Sequence, residues 1–268
     1  MKNKKMIVVD LDGTLLNINQ ECSVRTRRYL KRLKDLGYIV VIATGRVLRS
    51  AVSITGGAEF ANYVIANAGA VVYDMDNSKL IMGKSINLDD VKRICSYYND
   101  EIKNINICDL FYHHKYMNSS DVNYKFEKRI SNIDRFLDEV DGVYSISVHT
   151  DDNSLIDKYY EMVSGEGLDI LVMQDSFSDI KCLEIFSEGV SKYNAIKVIM
   201  ERENILNDNV IAFGDGLNDV DMIKLSGIGV AMGNALDEVK SVSKYITISH
   251  NDDGVVYFLK GYLGEQFI

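Results

Sequence analysis

Four short runs of this chain are apolar without interruption, and each stops at a polar cluster. Met6-Ile7-Val8-Val9 runs into Asp10-Leu11-Asp12-Gly13-Thr14, residues 38–43 into Thr44-Gly45-Arg46, residues 63–66 into Asn67-Ala68-Gly69-Ala70, and residues 210–213 into Gly214-Asp215-Gly216. A strand without a polar face must be covered on both sides, as a parallel strand between two helical layers is. Helical patterns lie between the runs. Ser23 caps one whose Val24, Leu30, Leu33 and Leu36 are expected to face inward and which Gly37 ends. A second, over about 192–203, precedes the run at 210. The expected core is therefore α/β, a Rossmann-like doubly wound parallel sheet, whose ligands bind at the carboxyl ends of its strands.

The rhythm changes near residue 84. Asn87 caps a helix with Val91, Ile94, Cys95, Tyr98 and Ile102 on one face, and strand patterns follow at 106–113, 143–149, 168–174 and 180–186. The third of these elements, 143–149, alternates cleanly: Tyr144, Ile146 and Val148 against Ser145, Ser147 and His149. Alternation marks an antiparallel sheet with one covered face, so an α+β module is expected inside the α/β core. The boundaries read as 1–83 and 187–268 for the discontinuous core and 84–186 for the insertion. After the run at 210, a helix over 218–225, a short strand at 228–230 and a helix over 235–243 complete the core.

A chain of 268 residues is long enough for a core domain plus such an insertion. Its net charge of −9 argues against nucleic acid or an anionic membrane as the main partner, and an anionic substrate needs a local positive field. The apolar run after the basic Lys2, Lys4 and Lys5 stops at Asp10, too early for a signal-peptide core, and no apolar stretch approaches a membrane span. Four cysteines, Cys22, Cys95, Cys108 and Cys182, include no Cys-x-x-Cys pair, so neither disulfides nor zinc are expected and the cytoplasm is the expected compartment.

The polar clusters complement one another chemically. Two carboxylates as close as Asp10 and Asp12 call for a cation or a proton between them. Asp10 is the candidate nucleophile, forming an aspartyl-phosphate, and Asp12 is placed to protonate the leaving alcohol and then deprotonate water. Asp215 adds a hard oxygen ligand suited to Mg²⁺. Thr44 offers a hydroxyl and Lys192 a positive charge to the phosphoryl oxygens. Mg²⁺ and Lys192 together are expected to lower the Asp10 pKa. Asp215, Asn218 and Asp219 crowd one strand-to-helix turn, and Asp219 stands where a dinucleotide fingerprint would need its third glycine. Magnesium-dependent phosphoryl transfer is the chemistry this set points to.

These residues resemble the haloacid dehalogenase superfamily of phosphatases, and within it the Cof-type hydrolases with a type IIB α+β cap. The likeness runs along essentially the whole chain. Asp10-Leu11-Asp12-Gly13-Thr14, Ala43-Thr44-Gly45-Arg46, Gly189-Val190-Ser191-Lys192 and Phe213-Gly214-Asp215-Gly216-Leu217-Asn218-Asp219 match the family's four motifs in order, and Gly229–Ala235 and Asp252–Val255 are typical of the subgroup. The resemblance implies that Asp10 is nucleophile and metal ligand. It makes Asp12 the acid/base with its backbone carbonyl on the metal, Asp215 the second metal carboxylate, and Asp219 a neighbour of the metal through water. Leu11 (by its backbone), Thr44, Gly45, Lys192 and Asn218 would contact phosphate, with Arg46 close by. Ser187 stands where the family often has proline, and Tyr193 where it often has glycine, either narrowing the pocket or packing.

The implied partner is a small phosphorylated metabolite: a sugar phosphate, a phosphorylated cofactor or a nucleotide. Substrate choice is expected from the cap. There His113, His114, Lys115 and Tyr116 read either as substrate contacts or as a solvated hairpin tip, and Asp179 and Lys181 are similar candidates. Two other functions share these residues: a phosphomutase on the same core, and a non-catalytic protein that binds a phosphometabolite.

Overall fold

The computed structural model describes residues 5–97, 104–116, 126–150, 152–164, 167–174 and 181–264. The chain opens with β1 (Met6–Val9), α1 (Val24–Asp35), β2 (Ile39–Ala43), α2 (Leu48–Ile54), β3 (Tyr63–Ala66), β4 (Val71–Asp74) and β5 (Lys79–Gly83). It continues through α3 (Leu88–Ser96), β6 (Asn104–Cys108), β7 (His113–Tyr116), β8 (Glu127–Ile130), α4 (Ile133–Glu139), β9 (Ser145–His149), α5 (Ser154–Val163), β10 (Leu168–Gln174) and β11 (Lys181–Ser187). It closes with α6 (Lys192–Glu203), β12 (Val210–Gly214), α7 (Val220–Leu225), β13 (Ile228–Ala231), α8 (Asp237–Val242), β14 (Tyr245–Ile246) and α9 (Gly254–Leu263). Two compact units result, one of residues 1–82 with 191–268 and one of residues 83–190.

The first unit is built on an eight-stranded sheet in the order β14-β13-β12-β1-β2-β3-β4-β5. The strands from β14 to β3 pair in parallel, and β4 runs antiparallel to β3. Every residue of β1, β2, β3 and β12 is buried, as uninterrupted apolar runs require when helices cover both faces. On one face Met6, Val8, Val41, Ile65 and Ala212 pack with Ile196 and Ile199 of α6 and Met222 of α7. On the other, Phe213 meets Phe258 of α9 edge-on, with ring centroids 5.5 Å apart. Each fully buried Val or Ile contributes about 1.5–3 kcal/mol, and it is this burial that fixes the strand order and hence the carboxyl edge.

Helix α1 buries Thr26, Tyr29, Leu30 and Leu33, while Val24 and Leu36 are each 53 % exposed rather than inward. They occupy the first helical turn and the C-cap, past the part of the helix that the sheet covers. The Ser23 hydroxyl accepts the Thr26 N–H at 3.0 Å, capping the helix as its sequence implies. The antiparallel strand β4, the edge strand β5, the two-residue β14 and helix α9 carry no pattern that the sequence reading picked out.

The second unit holds a six-stranded sheet in the order β10-β11-β9-β6-β7-β8. Its pairings are antiparallel except for β7 with β8, so the sheet is mixed rather than purely antiparallel. Tyr144, Ile146 and Val148 are buried, in line with the alternation, and Ile146 and Val148 pack with Val91, Ile94, Ile156 and Tyr159 from α3 and α5. The expected single strand over 106–113 is two strands. Asp109 accepts the N–H groups of Phe111 and Tyr112 at 2.6 Å each, an Asx turn that breaks the run and makes a hairpin of β6 and β7. Of the α3 face, Tyr98 and Ile102 lie outside the described residues, as do Ile180 and Asp179.

Candidate active site

Strand β1 lies between β2 and β12, with Val9 level with Ile42 on one side and Phe213 on the other. The chain leaves β1 toward β2 and returns to β12 on the opposite side, so a topological switch point opens beside β1. One residue beyond the paired rows comes Asp10, whose N–H donates to the Phe213 carbonyl at 3.1 Å. Thr44 follows β2 and Asp215 follows β12, so parallel pairing alone carries the three clusters to one sheet edge.

Asp10, Asp215 and Asp219 converge there, with one carboxylate oxygen from each lying within 4.8 Å of the others. Asp219 is 1 % exposed and Asp10 5 %. Lys192, first residue of α6 and 1 % exposed, donates to Asp10 Oδ1 and Asp219 Oδ1 at 2.7 Å each. Ser191 caps that helix by accepting the Asn194 N–H at 3.1 Å, which sets where the lysine starts. Asp219 also accepts the N–H groups of Asp215 and Gly216 through Oδ2, both at 3.0 Å. Thr14 donates its hydroxyl to Asp215 Oδ1 at 2.9 Å.

One ammonium against three carboxylates leaves negative charge buried. Burial drives the Asp10 carboxyl well above the ordinary range; Lys192 opposes this, and Asp219 and Asp215 reinforce it. Lys192 acts to lower the Asp10 pKa, but without a cation desolvation and two like charges outweigh it; the lowering expected above was that of Mg²⁺ and Lys192 together. Asp215 is pushed up to about 6, by burial first and then by Asp219. Lys192 is itself held protonated beyond its ordinary range, its two carboxylate partners overcoming desolvation. Such a cluster of hard oxygen donors with surplus negative charge fits a divalent cation such as Mg²⁺. Gly13 adds to the fit. It sits at φ +77°, and a Cβ there would fall 2.1 Å from Asp215 Oδ2, so only glycine leaves that carboxylate its place.

Asp12 is turned elsewhere. Arg46 grips its carboxylate with two bonds, Nε to Oδ2 at 2.8 Å and Nη2 to Oδ1 at 2.5 Å, and Nη2 also donates to Gln20 Oε1 at 2.7 Å. Thr44 is fully buried and its hydroxyl accepts the Arg46 N–H at 3.1 Å. At Gly45 nothing stands within 4 Å of where a Cβ would project, so the backbone there is open to a ligand. Leu11 is fully buried, its carbonyl taken by the N–H groups of Thr14, Leu15 and Leu16. Asn218 lies in the 3-10 turn Leu217–Asp219, half-buried.

The insertion candidates are engaged within their own unit. His114 is 6 % exposed, 2.7 Å from Asp109 Oδ2 through Nε2, and packs on Phe136 at 4.6 Å. His113 Nδ1 lies 3.1 Å from Cys108 Sγ, and Lys115 pairs with Glu127 at 3.2 Å. They form strand β7 rather than a hairpin tip, which is the Asp109–Tyr112 turn. Lys181 is in β11. Tyr193 packs: its hydroxyl donates to Asn207 Oδ1 at 3.3 Å.

Two supports escaped the sequence reading. Thr14, part of the first motif but without a role assigned from it, holds Asp215. Asn234 donates to the Gly13 carbonyl at 2.8 Å and accepts the His250 N–H at 3.0 Å, tying the first loop to the one after β13. Asn234 lies in a segment noted as typical of the subgroup, so its position was visible but its contact was not. The turn Asn67–Gly69 has three successive positive φ angles, and a Cβ on Gly69 would fall 2.3 Å from the Ser191 carbonyl. It thus buttresses the start of the lysine helix.

A model of haloacid dehalogenase-like hydrolases matches residues 7–259. The chain belongs to that family. It is an enzyme of the hydrolase class, and the relatives named below include phosphatases. The chain is 31 % identical to the 5-amino-6-(5-phospho-D-ribitylamino)uracil phosphatase YitU of Bacillus subtilis, over 96 % of this chain and 97 % of that one. It is 29 % identical to YcsE, a phosphatase of the same name from the same organism, over 94 % and 92 %. Among solved structures, a haloacid dehalogenase-like hydrolase from Bacteroides thetaiotaomicron superposes with a TM-score of 0.80 at 26 % identity, over 97 % of this chain and 99 % of that one. No described helix is long and apolar enough to cross a membrane.

Proposed function

We propose that this hydrolase is a Mg²⁺-dependent phosphatase of small phosphomonoesters that works through an aspartyl-phosphate on Asp10. The observation that carries the reading is the convergence of Asp10, Asp215 and Asp219, two of which, Asp10 and Asp219, share one buried ammonium, Lys192, at the switch point of the sheet. A pure binding site for an anion has no use for three converging acids, two of them buried, which repel phosphate unless a cation and a covalent role accompany them.

The side chains of Asp10 and Asp215 and the Asp12 carbonyl would hold Mg²⁺, with Asp219 next to it through water, and the ion when bound would supply positive charge to the phosphoryl oxygens. In the first half-reaction an Asp10 oxygen forms the bond to phosphorus as the ester oxygen leaves and takes a proton from Asp12. In the second, water attacks phosphorus, Asp12 takes its proton, and the Asp10 carboxylate departs. Lys192, the Thr44 hydroxyl, the Asn218 side chain and the backbone N–H groups at Leu11 and Gly45 bind the phosphoryl oxygens. Acid/base work by Asp12 requires its carboxylate to exchange Arg46 for the leaving group. The choice of ester is assigned to the insertion, because the core clusters supply contacts for phosphate alone.

Hydrolysis of p-nitrophenyl phosphate tests the reading. Turnover is expected to vanish with EDTA, return with Mg²⁺, and be absent in Asp10→Asn; turnover that survives either change overturns it. Asp12→Asn is expected to slow turnover by about 10²–10⁴-fold. A panel of phosphate esters then names the substrate, and the phosphoribitylaminouracil of the two Bacillus subtilis relatives is the first to try.

A further inference from the structure

A cavity of about 470 Å³ in the first unit is lined by Val24, Arg27, Arg28, Lys31, Arg32 and Asp35 of α1 and by Thr55, Gly56, Glu59 and Phe60. None of the acids or phosphate contacts assigned above lines it. The α1 residues recur at helical spacing on the face opposite the buried Thr26, Tyr29, Leu30 and Leu33. Four cations therefore project from one helical stripe at i, i+3 and i+4 spacings that make like charges repel. The first helical turn carries no acid, and Arg25, Arg27 and Arg28 stand at the end where the helix dipole disfavours positive charge.

Lys31 is neutralised by its ion pair with Asp35. Among the described residues Arg27, Arg28 and Arg32 have no ion pair or side-chain hydrogen bond. Arg27 goes further, because its Nε is buried and has no hydrogen-bond partner. A buried guanidinium N–H without an acceptor is rare in a folded protein, and it marks a side chain whose charge nothing in the fold balances. The loop makes room for this arginine, since Gly56 sits at φ +71° and a Cβ there would fall 2.8 Å from Arg27 Nη1. Against these three guanidiniums the lining sets only Glu59 and the Asp35 already paired. This local positive charge persists in a chain whose net charge is −9.

We infer that this cavity is a second anion site, distinct from the catalytic centre, that takes a small metabolite through a phosphate or diphosphate group. Guanidiniums match phosphoryl oxygens in bidentate geometry, and the unpaired charge suits a ligand with two or more negative charges. The cations line a concavity of the size small molecules occupy, rather than a flat stripe, and the overall charge repels a polyanion. A compact phosphate is therefore favoured over nucleic acid.

The test is calorimetric titration with inorganic pyrophosphate in EDTA at low salt, with inorganic phosphate and a single-stranded oligonucleotide as parallel arms. One pyrophosphate site is expected. Arg28→Gln and Arg32→Gln, both at exposed positions, should each weaken it at least about tenfold, as loss of a charge-assisted hydrogen bond does. Arg27→Gln should do the same, with circular dichroism confirming the fold, and Asp10→Asn should leave the site intact. Tighter binding of pyrophosphate than of phosphate assigns the site to diphosphates, and the reverse assigns it to monophosphates. Absence of binding at millimolar pyrophosphate, unchanged affinity in Arg28→Gln and Arg32→Gln, loss in Asp10→Asn, or tighter binding of the oligonucleotide would each overturn the inference. The readout needs no turnover, so it stands apart from the fate of the phosphatase reading.

Discussion

Lys192 Nζ lies 2.7 Å from Asp10 Oδ1, with the lysine 1 % and the aspartate 5 % exposed. The same ammonium serves Asp219, so one buried cation holds two acids in place. Removing it leaves buried carboxylates without a partner, a loss of about 3–5 kcal/mol when one side of a buried pair is deleted. Lys192→Met is therefore expected to lower the unfolding free energy of the metal-free protein, read from urea denaturation, by that much and to abolish turnover. Mg²⁺ should restore part of the stability, since it can neutralise the same acids, but not the activity. A variant as stable as the parent without metal would refute the charge balance described here.

The pair of Arg46 with Asp12 predicts the opposite pattern. Both side chains are partly solvated, at 28 % and 45 % exposure, and exposed pairs contribute about 0–1 kcal/mol. Arg46→Ala should therefore leave the melting temperature nearly unchanged. It should still reduce kcat, because Arg46, freed when Asp12 turns to the leaving group, stands beside Thr44 and Gly45 to meet the phosphoryl oxygens. Measuring kcat and unfolding on one preparation separates the two, and a large loss of stability with intact kcat would show that the pair is structural.

What the sequence disclosed follows from where its information is local. The apolar runs of β1, β2, β3 and β12 are buried on both faces, so their composition states their pairing class, and the polar residues after them had to share an edge. Convergence of Asp10, Asp215 and Asp219 was legible for that reason, whereas Lys192, which opens α6 rather than following one of these strands, was placed by the motif alone. Orientation was not. That Asp12 turns to Arg46 depends on a contact between residues 34 positions apart. The Thr14–Asp215 bond spans 201 positions. The hairpin of β6 and β7 was misread as one strand because a single aspartate, Asp109, makes the turn with its side chain inside an otherwise strand-like stretch. The exposure of Val24 and Leu36 escaped the pattern because periodicity fixes a face but not where its cover ends.

Asp215 gives a pH dependence with a definite sign. Its carboxyl is raised to about 6 in the metal-free fold, against an ordinary 3.8. The native state therefore keeps this proton where the unfolded chain has lost it. The stability this group contributes is full below about pH 4 and is lost as pH rises through about 6. Metal binding runs the other way, because the bound cation needs the ionised carboxylate and must displace the proton. Affinity for Mg²⁺ should fall as pH drops below about 6, by up to about tenfold per pH unit for one proton displaced. Calorimetry in two buffers of different ionisation enthalpy would detect the released proton, and an affinity flat from about pH 7 down to pH 5 would contradict the assignment.

Gly13→Ala isolates the geometry of the metal site from its charges. No ionisable group changes, yet a Cβ at φ +77° would lie 2.1 Å from Asp215 Oδ2 and 2.7 Å from its Cγ. Either the Gly13 backbone moves or the Asp215 side chain swings away. Movement of the backbone would strain the Asn234 bond to the Gly13 carbonyl, and movement of the side chain would strain the Thr14 bond to Asp215 Oδ1. The backbone strain alone is of order 1–3 kcal/mol. The expected result is a modestly less stable protein with much weaker Mg²⁺ affinity and turnover reduced at saturating substrate. Excess Mg²⁺ should recover part of that turnover if the ligand is merely displaced. Gly37→Ala, at φ +90° with nothing within 4 Å of its Cβ position, is the control: it shares the backbone strain but not the collision, so it should lose stability while keeping its Mg²⁺ affinity. Equal loss of Mg²⁺ affinity in both variants would mean that strain, not displacement of Asp215, accounts for the effect.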